Sequence, residues 1–300
     1  MTTVELNQRA ADYHASPYAS ASRLKLLKRS PAHMKYQMEN PEPPTPQMII
    51  GSATHSATLE PDLFVKEWGR LPEGDGRSKA VKDAKLELLT QFGAEAFRYL
   101  PAKDYILKPD VYDNILAMRD SVLGNELAAD LLDGAATEVS HYWTERRTQS
   151  RIGAVGPAAT KQQSEKTFHV ECKARIDALP REGSRWGNCV VDIKTTADAS
   201  AREFQRSVHN FGYHLQAAHY LSAAERLRLI FVVVERDAPH CVAIYELDED
   251  ALELGREERD SLLGQWALCE AEEAAGGLDA WPGFPVEVQE LSLPGWAYTR

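Results

Sequence analysis

The sequence contains no hydrophobic run long enough to cross a membrane. A membrane-spanning helix needs about 20 consecutive apolar residues, and no stretch of the 300 residues approaches that length. The first residues also lack the basic and then apolar layout of a secretory signal peptide. We therefore expect a cytoplasmic protein that has no membrane partner.

Cysteine is scarce and widely spaced. The chain has four cysteines and no C-x-x-C pair, and they stand at Cys172, Cys189, Cys241 and Cys269. Close cysteine pairs are typical of zinc ribbons and of close-spaced iron–sulfur motifs. The sequence therefore predicts reduced thiols and no iron–sulfur cluster.

An excess of positive charge is also missing, since 45 acidic residues stand against 34 lysines and arginines, a net charge of −11. This balance argues against a surface that binds nucleic acid all over, although a basic groove inside an acidic shell remains compatible with it. Basic residues do cluster near the N-terminus and in a glycine-rich loop. As candidates for phosphate contacts we take Arg23, Lys25, Arg77 and Lys79, and the alternative for each is an exposed base with no partner.

The hydrophobic pattern changes from helical to alternating along the chain. Residues 1–47 predict a polar start, two short helices with an N-cap in the run Ser20-Ala-Ser22, and a proline-rich linker. Further helices are expected at about 48–59, 80–92, 109–123 and 126–132. Strands follow at 138–144, 167–177 and 188–194, then one helix at 201–224, strands at 229–234 and 241–247, and a long helix at 248–275.

This order predicts an α/β (α+β) fold with a mixed central sheet flanked by helices. The strands at 167–177 and 188–194 are expected to form a hairpin. We see no internal repeat and no break between two cores. The prediction is one domain over residues 1–300, with an N-terminal helical elaboration (1–47), a core (48–247) and a C-terminal helix and tail (248–300).

Two opposite charges interrupt an apolar strand in the stretch CVVDIKTT, residues 189–196. Alternate side chains of a strand share one face, so Asp192 and Lys194 point the same way. The predicted hairpin brings Asp177 to the same edge of the sheet. Two carboxylates beside a lysine suit Mg²⁺, which prefers oxygen ligands, and the lysine would orient or deprotonate an attacking water. The alternative for an isolated D-x-K is a surface salt bridge.

Three motifs in a fixed order carry a family resemblance. The runs Lys173-Ala-Arg-Ile-Asp177, Val191-Asp-Ile-Lys-Thr195 and Tyr213-His-Leu-Gln216-Ala-Ala-His-Tyr220 resemble the G-x-x-D, D-x-K-T and Q-x-x-x-Y motifs of PDDEXK nucleases in their RecB-like branch. There are two departures. Cys172 and Lys173 stand where the wider superfamily often has glycine, and Asp192 replaces the glutamate of the name motif. Neither departure removes a ligand.

More narrowly, the chain resembles the nuclease domains of the RecE, or exonuclease VIII, family in the lambda-exonuclease-like branch. The resemblance extends over nearly the whole chain, at residues 13–17, 20–22, 30–33, 51–55, 59–61, 138–140, 143 and 293–297. It implies a bacterial or prophage-encoded exodeoxyribonuclease that degrades linear double-stranded DNA 5′→3′ and leaves 3′ single-stranded tails for recombination. It also implies Mg²⁺, with Mn²⁺ as a substitute, a homo-oligomeric ring for which we favour a tetramer, and a single-strand annealing partner of the RecT type.

The resemblance also implies residue roles. His55 would bind the metal with Asp177, Asp192 and the carbonyl of Ile193, Lys194 would be the catalytic lysine, and Glu138 an acidic residue of the site. Gln216 and Tyr220 would contact substrate or support the ligands. Independently of the resemblance, we take Thr195, Arg77 and Lys79 as further candidate substrate contacts. From the residues alone, the alternative for His55 is a hydrogen-bonded helix histidine, for Glu138 a solvated side chain, and for Gln216 and Tyr220 ordinary helix packing.

Two other functions use the same motifs. One is a RecB-like nuclease that acts on single strands, whose relatives with an iron–sulfur cluster differ from this chain in cysteine spacing. The other is a non-catalytic DNA-binding or recombination scaffold, which would be indicated by loss of a ligand. Asp177, Asp192 and Lys194 are all present.

Overall fold

The computed structural model describes residues 2–6, 8–93, 105–153 and 162–293, and its centre is a mixed sheet of six strands. Along the chain the strands are β1 (Thr3–Glu5), β2 (Gly69–Arg70), β3 (Ile106–Leu107), β4 (Ala136–Gly153), β5 (Gln162–Leu179), β6 (Cys189–Thr196), β7 (Arg228–Glu235) and β8 (Val242–Glu246). The sheet order is β1-β4-β5-β6-β7-β8, with β6 and β7 parallel and the other neighbours antiparallel. Strands β2 and β3 form a separate short parallel pair.

Eleven helices surround this sheet in the described part of the chain: α1 (Ala10–Ala15), α2 (Ala21–Leu27), α3 (Pro31–Glu39), α4 (Pro46–Leu59), α5 (Pro61–Glu67), α6 (Lys79–Gly93), α7 (Pro109–Gly124), α8 (Glu126–Leu132), α9 (Ala201–Asn210), α10 (Tyr213–Ala224) and α11 (Glu249–Ala274). Short polar side chains begin several of them by accepting a free backbone N–H. Ser20 accepts from the Arg23 amide, which confirms the predicted N-cap, and Thr45 accepts from the Met48 amide at the start of α4.

Two hydrophobic clusters lie on opposite faces of the sheet, because alternate residues of a strand point to opposite sides. On β6, Val190 belongs to the cluster formed with α2, α10 and α11, whereas Val191 and Ile193 belong to the cluster formed with α4, α7 and α8. Both faces are therefore covered by helices, and the predicted mixed sheet with flanking helices is confirmed.

The helix predicted over 201–224 is in fact two helices. The chain breaks at Phe211 and Gly212 between α9 and α10, and Gly212 adopts the left-handed conformation with φ of +60°. Glycine tolerates this conformation, which a side chain makes costly. A Cβ at Gly212 would lie 3.5 Å from Cε of Lys25, so the break also gives α2 a close approach to α10.

The N-terminal segment is more integrated than the sequence predicts. Residues 3–5 form the edge strand β1 beside β4, and α2 and α3 bury Leu24, Leu27 and Met34 in the core. Leu24, Leu27 and Met34 pack against hydrophobic side chains of the central sheet. The sequence pattern of the N-terminal segment alone does not show this contact. The linker at 41–45 has no regular structure, as predicted, whereas α1, α5, β2 and β3 were not predicted.

Strands β4 and β5 are longer than predicted, at 18 residues each. The tail beyond α11 has no regular structure up to residue 293, and residues 294–297 of the motif at 293–297 lie outside the described residues. Within the described ranges, none of the helices is both long and apolar enough to traverse a lipid bilayer.

Candidate active site

Strands β5 and β6 separate where the two aspartates stand. Their ladder holds one pair, Ala178 with Val191, and Asp177 and Asp192 flank it. Beyond this pair the backbone N–H of Ile193 donates to Oδ2 of Asp177 at 2.7 Å. The carboxylate thus takes the place of a backbone carbonyl of β5. The predicted hairpin is confirmed, and its two carboxylates lie near one another.

His55, Glu138 and Asp177 form a cluster at this gap. Each offers one ligand atom, and the three atoms lie within 4.8 Å of one another. The imidazole of His55 reaches the cluster from α4, and its Nε2 lies 2.8 Å from the carbonyl oxygen of Ile193. Because a carbonyl only accepts, Nε2 carries the hydrogen in the neutral ring. Nδ1 then presents its lone pair to Asp177 Oδ2, 3.5 Å away.

These atoms fit a hard divalent cation. Two electron-pair donors that face each other repel unless a proton or a cation lies between them, and this is the relation of His55 Nδ1 to Asp177 Oδ2. Carboxylates of Glu138 and Asp177 and the nearby carbonyl of Ile193 supply the oxygen ligands that suit Mg²⁺ and Mn²⁺. The cluster contains no cysteine, which a structural zinc site commonly uses.

Electrostatics at Asp177 reinforce this interpretation. The pKa of Asp177 is raised to about 7, chiefly by burial; His55 and Lys194 oppose the shift, and the carboxylates of Asp192 and Glu138 add to it. A nearby positive charge, such as a bound cation, would stabilise the ionised form of this buried carboxylate.

Glu138 reaches the cluster through an unusual backbone. Its φ is +50°, in the left-handed region that non-glycine residues rarely adopt. Thr137 pairs with Ala178 and Val139 pairs with Ile176, so Glu138 lies opposite Asp177 with no ladder pairing between them. The Glu138 carboxylate also accepts a hydrogen bond from Nε of Arg175 at 2.5 Å.

Asp192 lies next to this cluster and is not one of its three members. It is fully buried, with the Lys194 ammonium 2.5 Å from Oδ2 and Nε2 of Gln216 donating to Oδ1 at 3.1 Å. Burial disfavours the Lys194 charge, but the carboxylates of Asp192 and Asp177 outweigh burial and raise the pKa of Lys194. The lysine is therefore held as an ammonium.

A second lysine approaches from the N-terminal segment. Lys25 of α2 donates to Oε1 of Gln216 at 3.2 Å, and its ammonium lies 5.3 Å from the ring centre of Tyr213. The Lys194 ammonium lies 4.7 Å from the same ring. Burial and the Lys194 charge lower the pKa of Lys25 to about 7, while Asp192 opposes the shift. A bound anion would favour the protonated form of Lys25 beside the Lys194 ammonium.

The cluster opens into a cavity of about 530 Å³. Its walls come from α1, α4 and α5 and from the ends of β4 and β5. Tyr220 of α10 lines it together with His55, Glu138 and Asp177, and burial raises the pKa of Tyr220 well above its usual value. Of the two motif residues of α10, Gln216 therefore contacts Asp192, and Tyr220 lines the cavity.

The other predicted contacts are dispersed. Thr195 lies against α4, with Oγ1 3.7 Å from the position of a Cβ on Gly51. Arg77 and Lys79 are exposed and are not among the residues lining the cavity. Arg23 donates from Nη1 to the carbonyls of Ser16 and Tyr18, so its charge holds the chain before α2.

Sequence reasoning gave no role to Arg175 and Tyr213, although both stand in motifs singled out for other residues. Arg175 lies two positions before Asp177 and so shares its strand face. Tyr213 lies three positions before Gln216, one turn earlier on α10. Spacing alone could have indicated both.

A buried lysine fastens the N-terminal segment beside the cavity. Lys173 of β5 is 2% exposed, and its ammonium donates to the carbonyls of Tyr13 at 2.6 Å and Ser16 at 2.7 Å. It also lies 4.6 Å from the ring centre of Tyr13. Burial lowers the pKa of Lys173 to about 7. The cavity wall formed by α1 therefore depends on β5.

The fold and the cluster define a protein of the PDDEXK-like class, in which acidic residues of a splayed sheet stand beside a lysine. The chain belongs to the family described as PDDEXK-like domain of unknown function (DUF3799), which matches residues 20–277. None of the curated proteins matches the chain by sequence.

Among solved structures, the chain is similar to the crystal structure of a "Putative exonuclease" from Eubacterium rectale. The TM-score is 0.51 at 12% sequence identity, over 97% of this chain and 98% of that chain. At this identity the similarity shows the fold alone. The structure of SSO0001 shares 20% identity over 74% of this chain and 92% of that chain, with a TM-score of 0.26 that supports no argument.

Proposed function

We propose that the protein is a metal-dependent exodeoxyribonuclease that degrades linear double-stranded DNA 5′→3′ and leaves 3′ single-stranded tails for recombination. The observation that carries the proposal is the convergence of His55, Glu138 and Asp177 within 4.8 Å, beside the Asp192–Lys194 pair. Membership of the PDDEXK-like family supports a nuclease. PDDEXK nucleases typically use divalent metals, and the cluster offers ligands of the kind that such metals need. The resemblance to the RecE family supports the substrate and the polarity.

Each residue near the gap has a proposed task. His55, Glu138, Asp177 and the Ile193 carbonyl would hold the cation, which would stabilise the charge developing on the phosphate and lower the pKa of the attacking water. The Lys194 ammonium orients that water and Asp192 holds the lysine in place. Gln216 fixes Asp192 through its amide, and Lys25 adds positive charge on the side where a phosphate would approach.

The experiment that tests this function compares three DNA substrates with and without metal. Purified protein is incubated with end-labelled linear duplex, closed circular duplex and single strands, in Mg²⁺ or in EDTA. We expect digestion of the linear duplex in Mg²⁺ and none in EDTA. A label on the 5′ end should be released early, whereas a 3′ label should remain in long strands.

Matched variants connect the activity to the site. Asp177→Asn and Lys194→Met should abolish digestion. Asp133→Asn and Lys85→Met change exposed residues of the same types and should leave it intact. Cutting of closed circles would indicate an endonuclease, digestion of single strands alone would indicate the single-strand-specific alternative, and metal binding to DNA-bound protein with no hydrolysis would indicate a scaffold.

We propose a homo-oligomeric ring, with a tetramer favoured, that acts in a bacterial cytoplasm with a RecT-type annealing protein. Light scattering coupled to size-exclusion chromatography gives the number of subunits directly. A monomeric mass under conditions of full activity would refute the ring and leave the chemistry standing.

A further inference from the structure

Arg175 lines the cavity and places a positive charge directly against one of the proposed metal ligands. Its Nε donates to Oε2 of Glu138 at 2.5 Å, and its Nη1 donates to the carbonyl oxygen of Gln8 at 2.7 Å. Both members of the ion pair are only 14% exposed, so water screens the interaction weakly. The guanidinium therefore connects the N-terminal segment to the cluster.

The placement of Arg175 follows from the sheet. Arg175 pairs with Ser140 on β4, two residues beyond Glu138, and the two side chains are diagonal neighbours on one face. Arg175 also shares its strand face with Asp177. Its charge consequently stands beside the Glu138 carboxylate, on the strand face that also carries Asp177.

The backbone position of Glu138 does not depend on Arg175. The backbone at Glu138 is already fixed, because Thr137 and Val139 on either side pair with β5 and φ at Glu138 is +50°. The main effect of the guanidinium on the cluster is therefore electrostatic. It occupies one carboxylate oxygen of Glu138 and offsets one of the two negative charges that Glu138 and Asp177 bring to the cation.

We propose that Arg175 acts through Glu138, and that it weakens divalent-metal binding in the DNA-free protein by competing with the cation for the Glu138 carboxylate. This inference rests on the proposed function and adds a regulation of the same site. A DNA phosphate entering the cavity brings negative charge that restores the attraction for the cation. Metal and DNA should therefore bind cooperatively, and Arg175 sets the size of that coupling.

The test measures metal binding, without hydrolysis. Titration of the DNA-free protein with Mn²⁺ is followed by calorimetry and by the electron paramagnetic resonance signal of free Mn²⁺. Arg175→Gln keeps a donor for the Gln8 carbonyl and removes the charge, and Arg175→Lys keeps the charge. We expect Arg175→Gln to bind Mn²⁺ about tenfold more tightly than the unchanged protein, a difference of about 1.4 kcal/mol, and Arg175→Lys to bind as the unchanged protein does.

A double-variant cycle shows whether the effect passes through Glu138. Glu138→Gln should weaken Mn²⁺ binding, and adding Arg175→Gln to it should recover little. Arg202→Gln, at an exposed arginine that does not line the cavity, should change nothing. The circular dichroism melting curve of each variant confirms that it is folded.

Two outcomes separate this inference from the function on which it rests. Equal or weaker Mn²⁺ binding by folded Arg175→Gln, in a protein that does bind Mn²⁺ and digests DNA, overturns the role of Arg175 and leaves the nuclease assignment intact. Absence of Mn²⁺ binding and of digestion in the unchanged protein overturns both.

Discussion

Glu138 and Asp177 lie opposite each other on antiparallel strands, at the position where the β4–β5 ladder lacks a pair between Thr137–Ala178 and Val139–Ile176. In the described part of these strands, pairing is otherwise continuous from Ala136 to Gly153. The interruption releases two carboxylates toward His55 instead of toward solvent. Positive φ at a non-glycine residue costs roughly 1–3 kcal/mol, and its presence here is typical of functional sites.

Lys25 should contribute to DNA binding. Its ammonium lies beside Gln216, Tyr213 and Lys194, where a phosphate would meet two positive charges. We expect Lys25→Met to weaken duplex binding several-fold and to reduce the slope of log affinity against log salt by about 1. Fluorescence anisotropy in Ca²⁺ over a range of salt concentrations measures both.

Lys28→Met is the matched control for Lys25. Lys28 lies at the end of the same helix, but its ammonium is paired with Glu258 at 2.8 Å on the surface. Its removal should leave the salt slope unchanged. Equal effects of the two variants would show that Lys25 acts only through general charge.

Lys173 should be needed to hold the N-terminal segment on the sheet. Lys173→Met removes the ammonium that donates to the carbonyls of Tyr13 and Ser16, at a cost of about 1–3 kcal/mol in the free energy of unfolding. Limited trypsin digestion should then cut after Arg9 more rapidly. Lys35→Met, which removes a partly exposed ion pair with Glu273, should not change the cleavage rate.

His219 should reduce stability in acid. It is fully buried, with Nε2 donating to the Lys173 carbonyl at 3.0 Å and Nδ1 accepting from Nε of Arg259 at 3.4 Å. Burial, followed by the charge of Arg259, lowers the pKa of His219 to about 3. The unfolded chain takes up its proton near pH 6.5, so unfolding becomes easier as the pH falls from about 6.5 to about 3, by about 1.4 kcal/mol per pH unit for this group.

The variant His219→Gln checks this pH dependence. Its amide can donate to the Lys173 carbonyl and accept from Arg259 without titrating. Urea unfolding between pH 3 and pH 7 should show a shallower loss of stability in acid than the unchanged protein shows. His209→Gln, at an exposed histidine, should keep the original slope, and an unchanged slope in His219→Gln would refute the assignment.

Gly255 should be required where α10 crosses α11. A Cβ at this position would lie 2.3 Å from the carbonyl oxygen of His214, which is backbone and cannot rotate away. We expect Gly255→Ala to lower the free energy of unfolding by about 1–3 kcal/mol or more through overpacking. Gly264→Ala on the same helix meets nothing within 4 Å and should raise it by about 0.5–1 kcal/mol. Chemical denaturation of the pair gives the contrast directly.

Local chemistry made much of the fold predictable. A proline marks the start of α3, α4 and α7, and a capping side chain also precedes α3 and α4. The apolar runs of β6 and β7 are nearly continuous, so both faces of these strands must be buried. The break at Gly212 was not predictable in the same way, because 201–224 has helical periodicity on both sides of it. The close approach of Lys25 to Gly212 is a contact between distant parts of the chain.

The candidate site shows the same division. Spacing within β6 and β5 placed Asp177, Asp192 and Lys194 at one edge, and His55 was proposed from resemblance. Which of these share a ligand cluster depends on how β5 and β6 separate. The structure groups His55 and Asp177 with Glu138, and it assigns Asp192 to Lys194 and Gln216. Arg77 and Lys79 remain surface bases, while Lys25 reaches the site.

The sequence by itself determined the element types, the mixed sheet and the set of charged residues on β5 and β6, because strand alternation and helix periodicity are properties of neighbouring residues. Only the tertiary structure decided that Glu138 faces Asp177, that Arg175 bridges Glu138 to Gln8, and that Lys25 stands beside Lys194. Those relationships join residues more than 30 positions apart, and strand pairing together with the packing of the N-terminal segment on the sheet fixes them.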